Sequence, residues 1–144
     1  MLVSKDQFTI DTDRSRLQFD VIQSFFVNDS YWAKNRTAEQ TRTAIEHSIC
    51  FGVYEDDRQV GFARVVSDQA TFAYLGDVFI LEEYRGRGLS KWLMETIVAH
   101  PDLQGLRRWL LATYDAHGLY AQFGFAPLVH PDRWMEFTAP DAYN

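Results

Sequence analysis

Three features of the 144-residue sequence predict a mixed α/β domain, in which a mostly antiparallel central sheet is flanked by about four helices. Three β-type runs, Ile49–Tyr54, Gln59–Val66 and Thr71–Leu81, follow one another across short polar turns, the pattern of an antiparallel meander. Segments with helical spacing of apolar residues stand on both sides of that meander. The last of the three runs feeds a glycine-containing loop and then another helix-type run, Lys91–His100. The length suits one domain spanning residues 1–144, and no repeat or Pro/Gly/Ser-rich linker divides it.

Each element has a local reason. Phe8 and Ile10 alternate as in a short strand. Thr12 or Asp13 is the expected cap of a first helix whose apolar face includes Leu17, Val21 and Phe25. Asn28–Arg36 reads as a loop. Thr37 with Gln40 three residues on forms a capping-box signature for a second helix running to about Ser48. Glu55–Arg58 and Ser67–Ala70 are the turns of the meander. Leu89, Leu93 and Ile97 share one face of the third helix, which Pro101 stops. Arg108–Ala112 reads as a short strand, and Asp115–Phe123 as a short helix ended by Gly124. Phe125 and Trp134–Phe137 are expected to be closing strands.

Composition excludes several classes. Hydrophobic residues are 47% and charged residues 24%, an ordinary globular balance. No apolar run approaches the roughly 20 residues that span a bilayer, and the N-terminus lacks a signal-peptide core. A cytoplasmic protein is expected, with no membrane partner. The formal charge of −6 disfavours broad nucleic-acid binding, which uses many Lys and Arg contacts to phosphate. It mildly favours a cationic small substrate. The single cysteine, Cys50, permits no intrachain disulfide, and the four histidines lack metal-ligand spacing. No metal is expected.

Arg85-Gly86-Arg87-Gly88-Leu89-Ser90 carries the most chemical information. Glycines at a strand-to-helix junction leave backbone N–H groups unshielded, and the helix adds its own free N–H groups and dipole. Together these cradle a phosphate or pyrophosphate. The P-loop pattern needs a Gly-Lys-Ser/Thr ending that is absent here. The dinucleotide fingerprint needs a third glycine where Lys91 stands, and the preceding meander conflicts with a βαβ unit.

The pattern that fits is Arg/Gln-x-x-Gly-x-Gly/Ala, filled by Arg85, Gly88 and Ser90. Here the chain resembles the GNAT superfamily of acetyl-CoA-dependent N-acetyltransferases, through Asp77–Ser90 and again at Ala116-His117-Gly118-Leu119-Tyr120-Ala121-Gln122-Phe123-Gly124-Phe125. The order of elements agrees over nearly the whole chain. Ser90 stands where Gly or Ala is usual, Glu82 where Pro is frequent, and Thr113 where many members have an Asn on the pantetheine arm.

The resemblance implies acetyl-CoA as donor, with Gly86, Arg87, Gly88, Leu89, Ser90 and Lys91 around the pyrophosphate and Arg85 adding charge. It implies that Val78, Phe79 and Ile80 bind pantetheine as an added pseudo-strand, that a backbone N–H near Phe79 or Ile80 polarises the thioester carbonyl, and that Thr113 and Ala116 line the same arm. Tyr120 falls on the general-acid position. Asp77, beside the thioester slot in an apolar strand, is the expected base, acting directly or through water; pairing with a nearby cation, capping backbone, or contacting substrate without taking a proton are the other readings of it. His117, one turn before Tyr120, is an alternative base. Tyr31 and Trp32 are expected to surround the acceptor amine. Cys50 with His47 is weighed as a ping-pong nucleophile, against a buried inert thiol.

The expected reaction is direct acetyl transfer in a ternary complex to a primary amine of a small molecule or peptide, with a homodimer as a possible assembly. A non-catalytic acyl-CoA sensor and an acyltransferase with a different acyl-CoA donor are the alternatives; a Rossmann oxidoreductase is a distant third.

Overall fold

The computed structural model describes residues 1–143. One six-stranded sheet runs in sequence order: β1 (Leu2–Lys5), β2 (Phe8–Asp11), β3 (Ile49–Glu55), β4 (Arg58–Ser67), β5 (Phe72–Ile80) and β6 (Arg108–Leu110). The first five are antiparallel neighbours, and β6 joins β5 in parallel. Four α-helices occur among the described residues: α1 (Phe19–Asn28), α2 (Ala38–Glu46), α3 (Leu89–Val98) and α4 (His117–Ala121). None is long and apolar enough to cross a membrane.

The meander forms where the alternation of residues predicts it. The capping box is complete: Gln40 N donates to Thr37 Oγ1 at 3.1 Å, and Thr37 N to Gln40 Oε1 at 2.8 Å. The first helix starts later than expected. The Asp13 carboxylate accepts from Ser15 N at 2.9 Å and closes a separate 3-10 turn over Arg14–Arg16. α1 is instead latched to β4, because Gln18 N donates to Gln59 Oε1 at 2.7 Å and Gln59 N to Gln18 Oε1 at 3.1 Å. Its buried face is Ile22, Phe25 and Phe26, one position on from the expected Val21.

Two differences concern the sheet margins. A hairpin partner, β1, precedes the expected strand, turning at Asp6 with φ 56°. The closing strands expected at Phe125 and Trp134–Phe137 do not form. Phe125 packs its ring on Trp109 and Tyr120, and its N–H donates back to Tyr120 O at 3.3 Å rather than to a strand. Trp134 meets β6 only through its side chain, with the Arg108 guanidinium 4.9 Å from its ring, while Met135 and Phe137 are 97% and 99% exposed. Strand propensity here finds no partner strand, and propensity without pairing does not make a strand.

Cores lie on both faces of the sheet. Leu89, Leu93, Met94 and Ile97 of α3 pack with Phe51, Val53, Ala73 and Leu75. Ile22, Phe25 and Phe26 of α1 pack with Cys50, Phe62 and Phe79 on the other face. Strict alternation along β5 would place Phe79 on the same face as Ala73 and Leu75. A bulge reverses it: Phe62 pairs with Phe79 and Arg64 with Gly76, so the single residue Ala63 stands against Asp77 and Val78. The fully buried Leu93 anchors α3 to the sheet. Leu93→Ala is expected to lower unfolding free energy by about 2–5 kcal/mol, measured by urea denaturation.

Candidate active site

β5 leads through a 3-10 turn, Glu82–Tyr84, into the glycine loop and α3. Gly86 and Gly88 have φ values of 78° and 77°, the left-handed region that glycine enters without strain. A Cβ on either would meet nothing within 4 Å, so backbone conformation rather than crowding demands glycine. The open space above the loop is the space a phosphate needs. Gly88 is the N-cap of α3 and no side chain caps that helix start, which leaves the first-turn N–H groups turned outward. The flanking arginines fold back onto the loop. Arg85 Nε donates to Ile80 O at 3.0 Å, and Arg87 lies 5.0 Å from the Tyr84 ring while reaching Glu83 O at 3.4 Å.

Beside this cradle the sheet opens. β5 and β6 pair only from Phe72 with Arg108 to Tyr74 with Leu110. Beyond that point β5 continues to Ile80 without a β6 neighbour. The resulting cleft, about 630 Å³, is lined by Leu75–Val78 on one side and Leu111–Ala116 on the other, with Tyr31, Trp32, Arg36, Arg64, Tyr120 and Tyr143 around it. A larger cleft of about 870 Å³ lies between β6 and residues 123–134. It contains neither Asp77 nor Tyr120 and does not border the open edge of β5, so its size gives it no claim to the chemistry.

Asp77 sits at the bulge with φ 55°, a strained conformation for a non-glycine residue. Its carboxylate is buried and fully occupied: Oδ1 accepts from Trp32 Nε1 at 2.9 Å, and Oδ2 from Arg36 Nη1 at 2.7 Å and Arg64 Nε at 2.8 Å. Burial alone would raise its pKa, but the hydrogen bonds and charges of Arg36 and Arg64 outweigh that and hold it below the usual carboxylate range. Tyr120 is also buried, with its pKa pushed up to about 12, chiefly by burial and then by Tyr31 and Asp115. Its hydroxyl has no hydrogen-bond partner among the described residues.

The sequence model described as the acetyltransferase (GNAT) family matches residues 18–125. That stretch contains the bulge, the glycine loop and Tyr120. The chain belongs to this family. A relative from Gibberella zeae, called "Putative acetyltransferase", is 32% identical over 141 residues, covering 83% of this chain and 78% of its own. The solved structure of a GNAT-family protein from Xanthomonas campestris pv. campestris superposes with a TM-score of 0.92 at 54% identity, over 94% of this chain and 96% of that one. A predicted acetyltransferase from Clostridium acetobutylicum, solved with acetyl-CoA, shares the fold at a TM-score of 0.63 and 11% identity, each chain covered completely.

In this GNAT chain the structure gathers Asp77, Val78, Thr113, Ala116, Tyr120, Tyr31 and Trp32 on one cleft, with Phe79 and Ile80 continuing along β5 towards the loop. Thr113 Oγ1 accepts from Ala116 N at 3.1 Å, so its hydroxyl already shapes the start of α4. Tyr31 is largely exposed, and its hydroxyl accepts from Tyr114 N at 3.0 Å. His117 is exposed and absent from the cleft lining. Cys50 is buried between sheet and α1, with its thiol pushed up to about 11, mainly by burial; it suits packing, not nucleophilic attack.

The geometry disfavours the direct base role expected of Asp77, because a carboxylate with both oxygens occupied and a lowered pKa is a poor proton acceptor. Arg36, Arg64 and Tyr143 are among the cleft residues that sequence reading missed. Arg64 had a signal, a charge inside the apolar run Gly61–Val66. Because Asp77 titrates lower folded than unfolded, its contribution is present above about pH 4. It is lost as pH falls through the lowered folded value. Asp77→Asn leaves two arginines without their shared counter-charge, so it should cost about 3–5 kcal/mol near neutrality. The gap from wild type should narrow in acid, as read from urea melts across pH.

Proposed function

We propose that this chain transfers an acetyl group from acetyl-CoA directly to a primary amine in a ternary complex. The observation that carries the reading is the opening of the sheet between β5 and β6. It has a glycine-bearing, uncapped helix start beyond one end of β5 and a buried tyrosine with an unpartnered hydroxyl on the same cleft. These residues fit coenzyme A on three counts: space over Gly86 and Gly88, outward N–H groups, and an unpaired strand edge. When bound, its thioester supplies the acyl carbon that the amine attacks, with the C–S bond breaking and the sulfur leaving as thiolate.

The chain's own residues do the rest. N–H groups from Gly86 to Lys91 hold the pyrophosphate, and the strand edge from Val78 to Ile80 aligns the pantetheine arm. A backbone N–H near Phe79 or Ile80 polarises the carbonyl. Tyr120 donates a hydrogen bond to the departing sulfur. With its pKa raised to about 12, against about 8.5 for a free thiol, Tyr120 acts mainly by that bond, and complete proton transfer is uphill. Asp77 anchors the slot, and water in the cleft carries away the amine proton. Tyr31 and Trp32 flank the amine.

Saturating acetyl-CoA should raise the melting temperature, since it binds the native state. Gly88→Glu should abolish that shift while leaving the unliganded melt nearly unchanged, because it puts bulk and negative charge into the cradle. An undiminished shift in the folded variant would place the pyrophosphate elsewhere. Tyr120→Phe should lower kcat by about a hundredfold with acetyl-CoA affinity retained, measured by free-thiol release against a panel of primary amines. Binding of acetyl-CoA with no thiol release from any amine would favour a non-catalytic binding protein.

A further inference from the structure

One wall of the cleft comes from the far end of the chain. Beyond Trp134 the backbone passes β6 and returns to α2, where Gln40 Nε2 donates to Ala142 O at 3.0 Å across 102 positions. This seats Tyr143, half-buried, in the lining of the cleft that holds Asp77 and Tyr120. Its ring centroid is 5.2 Å from the Arg36 guanidinium carbon, within cation–π range. Arg36 is an unusually fixed support. It is buried, it donates to Asp77 Oδ2 at 2.7 Å, and it lies 4.9 Å from the Phe26 ring. The ring of Tyr143 therefore rests on a cation that cannot move without breaking the ion pair at the bulge.

The β5 edge and the Leu111–Ala116 segment form the half of the cleft that suits pantetheine. Arg36, Trp32 and Tyr143 lie towards α1 and α2, which leaves them the acceptor half. We infer that Tyr143 is a specificity-determining residue: its ring closes the acceptor half of the cleft, so that compact amines fit and water is kept from the acyl carbon. This rests on the acetyl-transfer reading above. A neutral ring stacked on a buried guanidinium supplies shape without adding a charge that would repel or trap an ammonium. It also sits at a distance in sequence from every motif of the family match, which ends at residue 125.

The test uses Tyr143→Ala and Tyr143→Phe, with acetyl-CoA affinity by calorimetry, amine-free thiol release from acetyl-CoA, and kcat/KM for ethylamine and benzylamine. Tyr143→Ala should bind acetyl-CoA like wild type. Its amine-free thiol release should rise about threefold or more, as water gains the acyl carbon. Its preference should move towards benzylamine by about tenfold. Tyr143→Phe keeps the ring and should lie much closer to wild type than Tyr143→Ala in amine-free release and in amine preference. If neither amine turns over, amine-free release decides. Wild-type release and preference in Tyr143→Ala would overturn the assignment. So would loss of acetyl-CoA binding together with a fall in melting temperature, because Tyr143 would then be a support of the fold. Failure of the wild-type protein to bind acetyl-CoA would instead strike the acetyl-transfer reading itself.

Discussion

A single buried carboxylate ties the functional half of this molecule together. Asp77 binds Arg64 of the neighbouring strand, Arg36 from the approach to α2, and Trp32 from the loop after α1. Taking three charged groups out of water is costly, and the arrangement holds only because every oxygen of the carboxylate is met. The positive φ of Asp77 is part of the same bargain: side-chain bonds hold a backbone conformation that the residue would otherwise avoid. From that one distortion follow the reversal that turns Phe79 towards α1 and the seating of the α1–α2 connection over the cleft.

The cleft gains from what surrounds it. Ring stacking of Phe25 on Phe79, with centroids 4.0 Å apart, packs α1 against the strand just past the bulge. The helix that leads into the Tyr31–Trp32 loop is therefore clamped to the strand that carries Asp77. A hydrophobic clamp on one flank and an ionic one on the other leave little freedom between the two halves. That rigidity suits the direct transfer we propose, in which two bound molecules are brought to near-contact.

Much of this was legible in the sequence, and the exceptions have physical causes. The meander, the Thr37–Gln40 box and the glycine loop are local patterns, fixed by neighbours within a few residues, and each formed as read. Asp77 announced itself as a charge in an apolar strand, but its partners lie 13 and 41 positions away, and no local pattern reveals whether a carboxylate will be left free or spoken for. The cap of α1 failed as a prediction because Asp13 spends its oxygen on Ser15, and a long-range glutamine exchange does the work instead. The terminal strands failed because alternation measures a segment's fitness for a sheet, not whether a backbone partner is there to receive it. Tyr143 was invisible for the opposite reason, since nothing around it in sequence foretells a return to α2.

The lone sulfhydryl of Cys50, sealed under α1 with its ionisation suppressed, gives the folded protein a silent background towards thiol-selective dyes. Sulfur titrated in solution during turnover then belongs to the released coenzyme, with no blank contributed by the catalyst. The same sulfur is uncovered once α1 and the end of α2 leave the sheet, so its alkylation becomes a clock for opening of that face. One buried atom thus separates two signals, chemistry outside the protein and breathing within it.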